Sequence, residues 1–319
     1  MATELKPARI VAIVGPTASG KSALALAAAK RHAGEIVSCD SVQVYRGLDV
    51  GSGKPTVEER SLVPHHLIDI LDLTQEMNAA IFAHLAPAAI GGIIGRGGLP
   101  LVTGGTGLYL TALLRGLFEQ GGEAPDTRAR LEAMAQRYGA LRLHRLLSVR
   151  DPEYAAKTQP TDRVRIVRAL EVRFSLGRPF SLVQRERKPA FAGETLMVGL
   201  NPGREELRGR VVDRVRRMIE NGLIQETERV IGGLPGDQPR PRPLGAIGYR
   251  EVAARLAVGP LPPAGDDELQ RAIVNSTMQY AKRQMTYFRR QFEVEWFADE
   301  GAALARIGEW WKRETDGTL

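Results

Sequence analysis

Residues Gly15-Pro16-Thr17-Ala18-Ser19-Gly20-Lys21-Ser22 carry the spacing G-x-x-x-x-G-K-[ST]. Glycines at such a turn let several backbone N–H groups converge on phosphate oxygens, and a helix opening at the lysine adds its dipole. Lys21 supplies a full positive charge, and Ser22 a hydroxyl suited to Mg2+. This chemistry serves ATP in a nucleotide-binding protein, or any other phosphorylated donor. Many nucleotide hydrolases add a carboxylate at the end of a later apolar strand; here the best such strand ends VTGGTG, without one. The first carboxylate at a strand end is Asp40. It stands where an acceptor would lie, so the loop could grip a donor or a leaving diphosphate while Asp40 acts on the nucleophile. Alternatively, Asp40 caps a turn beside Ser41. Cys39 reads as a packed thiol, and the pair His65-His66 with Asp69 lacks further ligands at metal spacing.

Placing these residues requires a strand into the loop and a helix out of it. RIVAIVG (9–15) is a buried strand, and Lys21 to Arg31 an Ala/Leu-rich helix. Segments 35–40, 65–70, 99–105 and 195–200 read as further strands, and 78–94 as a helix weakened by Pro87 and paired glycines. The alternation predicts an α/β fold, a P-loop NTPase-like parallel sheet core flanked by helices. GGEAP (121–125) then breaks the pattern, and 126–188 shows helical spacing, with arginines alternating with Val164, Ile166, Val167, Leu170 and Val172. The organisation expected is a first core part (1–120), an all-helical insertion (121–192) and a core completion (193–319). The completion holds helices near 205–221 and 267–290 around a Pro-rich stretch, 234–243.

Charge distinguishes the insertion. Between Arg142 and Lys188 stand twelve basic and five acidic residues, an excess that equals the net +7 of the whole chain. Such a localised excess fits a polyanion-binding surface or a solvated helical face. A chain with 43% hydrophobic and 25% charged residues is globular, and its one cysteine excludes an internal disulfide. No apolar run approaches the roughly 18 residues of a membrane span. The start, MATELKPARI, lacks a secretory signal, so a soluble cytoplasmic protein with no membrane partner is expected.

Seven segments in order resemble the tRNA dimethylallyltransferase (tRNA isopentenyltransferase) family: GPTASGKS, DSVQVYRGLDVGSGKP (40–55), HHLIDI (65–70), GGTGLY (104–109), DPEYAAKTQPTDRVRIVRALEV (151–172), AIGYREV (246–252) and AKRQMTYFRRQ (281–291). The resemblance implies a monomeric prenyltransferase for tRNA modification. The loop Gly15–Ser22 would bind dimethylallyl diphosphate with Mg2+ at Ser22. The acceptor would be the exocyclic amine of the adenosine 3′ to the anticodon, in a tRNA anticodon stem-loop. Asp40 would be general base, with Thr17, Lys21 and Arg214 acting on the diphosphate; Arg214 follows the spacing R-x-x-L-x-x-R-x-x-x-R from Arg204.

For the RNA, the resemblance points to Asp40, Ser41, Val42 and Gln43 at the target base, and to Thr106, Arg128, Val164, Arg165, Ile166, Val167 and Arg168. It adds Gly245, Ala246, Ile247, Gly248, Tyr249 and Arg250, and Thr277, Met278, Gln279, Tyr280, Ala281, Lys282, Arg283 and Gln284. Ile166, Val167 and Val164 also read as helix core. Ser52-Gly53 stands where Thr-Ala is usual, Thr161 replaces Asn, and Gly245 and Met278 replace arginines, for which Arg240 and Arg242 would compensate. Competing readings are an ATP-dependent small-molecule kinase, which leaves the basic insertion unexplained, and an RNA-binding protein with a vestigial loop. Intact Gly20, Lys21, Ser22 and Asp40 weigh against the latter.

Overall fold

The computed structural model describes residues 8–117, 124–234, 240–262 and 266–312. GGEAP and the Pro-rich stretch therefore lie partly outside the described residues. In chain order the elements are β1 (Arg9–Val14), α1 (Lys21–Arg31), β2 (Glu35–Ser38), α2 (Val57–Leu62), β3 (His65–His66), α3 (Ala79–Gly95), β4 (Pro100–Thr103) and α4 (Gly107–Arg115). Then come α5 (Pro125–Tyr138), α6 (Ala140–Arg150), α7 (Pro152–Ala156), α8 (Arg163–Leu176) and α9 (Phe180–Arg185). The chain continues with β5 (Glu194–Leu200), α10 (Arg204–Glu220), α11 (Leu223–Gly232), α12 (Tyr249–Leu256), α13 (Asp267–Gln291), β6 (Glu295–Phe297) and α14 (Glu300–Lys312).

The six strands form one parallel sheet in the order β3-β2-β4-β1-β5-β6. Central β1 is β-branched and buried along Ile10–Val14, as a strand covered on both faces must be. It packs with Leu101, Val198, α1 and Ile307 of α14 in one core. A second core joins Val44, Tyr45 and Leu48 to α10, α11, α12 and α13. In such a sheet the loops leaving the carboxyl ends of the strands make the binding crevice, and Gly15, Cys39 and Gly104 all follow strand ends there.

Two expectations need correction, over 65–70 and at Val164, while the helix expected over 78–94 stands. The strand expected over 65–70 stops at His66, because Leu67 and Asp69 adopt left-handed φ of 61° and 55°. The N–H groups of Asp69 and Ile70 instead donate to Gln43 and Val44. The helix through Pro87 is continuous: Asn78 caps it, and the stripe Phe82, Ala86, Ile90 and Ile93 is buried, which outweighs the lost hydrogen bond. Val164 is 73% exposed in the first turn of α8, so the core stripe of that helix begins at Ile166. The short β6 and the helix α14 are elements beyond those the sequence pattern predicts.

The chain forms two compact units, one from residues up to Leu113 and from Phe191 onward, the other Leu114–Ala190. Within the second, Leu143, Leu147, Ile166, Val167 and Leu170 make a separate core. Glu171, 2% exposed, sits against that core and is held by Arg168 at 2.7 Å, with Arg128 at 3.8 Å. Arg168 thus neutralises a buried carboxylate before it serves any ligand. Arg168→Ala should destabilise this unit by about 2–3 kcal/mol in denaturant titration, with Glu171→Gln recovering part of the loss.

Candidate active site

The carboxyl ends of β1, β2 and β4, with α10 and α13, enclose a cavity of about 1010 Å³. Its floor is the loop Gly15–Ser22. Gly15, Ala18 and Gly20 have φ of 142°, 63° and 102°, the alternation that turns successive N–H groups inward. The amides of Ala18, Gly20, Lys21 and Ser22 have no acceptor among the described residues, and the buried Ser19 hydroxyl has no partner either. The Thr17 amide is different: it donates to Gln284 Oε1 at 2.8 Å. Gln284 Nε2 donates in turn to Gly105 O, and Arg210 donates to Ser19 O from outside the loop. Open donors and an orphaned hydroxyl in a cavity make a cradle for an anion.

Lys21 Nζ donates to Pro16 O at 2.7 Å. Burial, then the nearby Arg214, pulls its pKa down to about 7, while Asp40 acts in the opposite sense. Arg214 is likewise lowered, by burial first. Two under-solvated cations face an anion site that one carboxylate only partly balances. Gly53, with φ of 61°, lies under Arg214, and a Cβ there would run into the guanidinium. Its place where Ala is usual therefore has a structural consequence in this chain.

Asp40 divides its carboxylate between structure and cavity. Oδ1 accepts from the N–H groups of Val42 (2.8 Å) and Gln43 (3.2 Å), and Oδ2 has no partner among the described residues. The turn-cap reading and the general-base reading are thus compatible. Thr106 Oγ1 accepts from Ser41 N–H, and the Cys39 thiol donates to Thr106 O; burial raises that thiol. The Tyr280 hydroxyl, pushed up to about 12 by burial, stays protonated in the cavity wall.

Several residues proposed for RNA are turned inward. Gln43 accepts from Ser38 Oγ and donates to Gly53 O, so its amide first fastens the loop rather than waiting for a base. Tyr249, Gly248, Thr277, Ala281 and Gln284 are buried, as are Ile166 and Val167, although Gln284 still lines the cavity. Gly245, Arg250, Gln279, Lys282, Arg283, Val164 and Arg165 are exposed; Ala246, Ile247, Met278 and Thr106 are half-buried. Arg242 pairs with Glu76 at 2.7 Å, which ties up one compensating cation. Lys54 has a role that sequence spacing does not display: its buried Nζ binds Tyr45 O, Asp49 and Asp69 and closes the 45–54 loop, and its place inside GSGKP is the one local signal of it.

The lowered Lys21 gives a signed expectation. Above pH 7 the free lysine is largely neutral, and an arriving diphosphate favours its charged form, so binding takes up a proton and weakens as pH rises. Calorimetry with inorganic diphosphate at pH 8, in buffers of differing ionisation enthalpy, should show uptake that disappears in Lys21→Met. By the same linkage the unliganded fold gains stability as pH rises from about 7 toward the ordinary lysine value.

Comparison with known proteins agrees with this geometry. A family model described as IPP transferase matches residues 43–291, and one described as Isopentenyl transferase matches residues 8–69. The chain is 44% identical over 297 residues to a tRNA dimethylallyltransferase of Anaeromyxobacter dehalogenans, covering 91% of this chain and 93% of the relative. It is 46% identical over 300 residues to the tRNA dimethylallyltransferase of Geobacter metallireducens, covering 92% and 93%. Among solved structures, the full-length tRNA isopentenylpyrophosphate transferase of Bacillus halodurans superposes with a TM-score of 0.68 at 36% identity, over 97% of both chains. A eukaryotic dimethylallyltransferase acting on tRNA gives 0.71 at 26% identity, over 90% of this chain and 73% of the other. Matched by the family model over residues 43–291 and by relatives at 44% and 46% identity over more than nine-tenths of its length, the chain belongs to the IPP transferase family.

Proposed function

We propose that this prenyltransferase moves a dimethylallyl group from dimethylallyl diphosphate to the exocyclic amine of the adenosine 3′ to a tRNA anticodon. The observation that carries the reading is the division of one cavity. The phosphate-type loop, Lys21 and Arg214 line the same space as Asp40, whose Oδ1 alone is engaged among the described residues. The end of β4, Thr103-Gly104-Gly105, offers no carboxylate of the kind nucleotide hydrolases use.

The amine nitrogen bonds to the allylic carbon as the carbon–oxygen bond to diphosphate breaks, and the electron pair leaves with the diphosphate. The amine proton passes to Asp40 Oδ2, because Oδ1 is already engaged by two amides. Lys21, Arg214 and the loop amides meet the growing negative charge. Among the described residues no cluster of three His, Cys, Asp or Glu could hold a metal. Ser22, exposed at the start of α1, nonetheless suits Mg2+, which keeps several waters and takes its other ligands from substrate phosphates. When bound it would supply charge neutralisation of the leaving diphosphate.

An adenosine stacked in an anticodon loop has to leave the stack to reach Asp40. In the unit that holds the cavity, exposed Lys282 and Arg283 offer phosphate contacts, and exposed Arg250 is paired with Glu251 at 2.7 Å. In the helical unit, Arg142 and Arg145 project from one exposed side of α6 without a carboxylate partner among the described residues. No helix among the described residues is long and apolar enough to cross a membrane.

Asp40→Asn should lower turnover by roughly 10²–10⁴-fold while leaving tRNA binding nearly intact. Mass spectrometry of tRNA nucleosides after reaction with donor is the readout. Steady ATP hydrolysis with no prenylated adenosine would restore the kinase reading. Arg142→Ala with Arg145→Ala should reduce the log–log salt dependence of tRNA affinity by about 1–2 units and leave diphosphate affinity unchanged. An unaltered slope would make that face solvated surface only.

A further inference from the structure

α11 turns an apolar stripe inward through Leu223, Ile224, Thr227 and Val230, and Glu226 lies on that stripe at 4% exposure. A carboxylate there is tolerable only if it is fully hydrogen-bonded. It is: Oε2 accepts from Asp49 N–H at 2.9 Å, both oxygens accept from Val50 N–H, and Oε1 accepts from Gly51 N–H at 3.1 Å. The Tyr249 hydroxyl adds a fourth donor at 2.6 Å. Three consecutive amides on one carboxylate fix the direction of the chain that leaves them. That chain next passes through Ser52, whose carbonyl with that of Gly53 receives Gln43 Nε2, and through Gly53 itself, under the Arg214 guanidinium.

We propose that Glu226 is a positioning residue for the donor site, setting the height of Gly53 and thereby the place of Arg214 over the diphosphate cradle. Tyr249 opens α12, so the same carboxylate ties the 245–250 segment to the donor side of the cavity. The inference rests on the reading of Arg214 as a diphosphate ligand. A purely structural Glu226 would change stability alone; a positioning Glu226 changes affinity in molecules that are folded.

The test is calorimetric binding of inorganic diphosphate to the full chain, counted per folded molecule. Glu226→Gln keeps the side chain's shape but presents an NH2 group to the loop amides, and should weaken diphosphate about 5–20-fold. In an Arg214→Ala background the same change should add less than about 2-fold, because its effect runs through that arginine. Tyr249→Phe removes only one donor and should weaken diphosphate about 2–4-fold, which carries the test if Glu226→Gln does not fold. Unchanged affinity in the folded variants, or an undiminished Glu226→Gln effect without Arg214, overturns the proposal. Arg214→Ala binding diphosphate as well as the parent would remove the underlying reading, and this inference with it.

Discussion

An anion cradle has to keep its backbone donors unpaired until the ligand arrives, and an unpaired amide is stable only where its surroundings allow no alternative partner. The loop Gly15–Ser22 meets that constraint from three directions. Gln284 of α13 takes the Thr17 amide, Arg210 of α10 holds the Ser19 carbonyl, and Lys21 folds back on Pro16. What remains open is the set of amides that face the cavity. Two helices of the core completion, α10 and α13, thus bear directly on a loop formed near the start of the chain.

Local patterns were enough to find some of this. The loop, β1, α1 and the strands at 35–38 and 100–103 follow from β-branched runs and glycine spacing, because burial on both faces leaves few other solutions. Asp40 was legible as a carboxylate at a strand end. The rest depends on contacts between distant segments. That Gln43, Tyr249 and Gln284 turn inward follows from their partners Ser38, Glu226 and Thr17, which no local spacing displays. Glu226 had a faint signal, an acid on the apolar stripe of IQETERV. β6 had almost none, since three residues that begin on a glutamate carry little periodicity.

Charge in the helical unit follows a similar division. Counting placed the net excess correctly, yet the count treats every arginine alike. Arg168, Arg178 and Arg185 are engaged by Glu171, Glu186 and Glu153, whereas Arg142 packs against the Tyr138 ring and pairs with no acid among the described residues. Electrostatic reach toward a polyanion belongs to the second kind of residue, and stability of the unit to the first.

Cys39 sits one residue before Asp40, buried, with its thiol bonded to Thr106 O and its ionisation suppressed by burial. In this state it is a poor nucleophile toward alkylating reagents. Any labelling of the intact protein must therefore pass through transient opening of the sheet end that carries Asp40. Because it is the chain's one cysteine, the labelling rate becomes a chemical clock for the local breathing of this end of the sheet, free of background from other thiols.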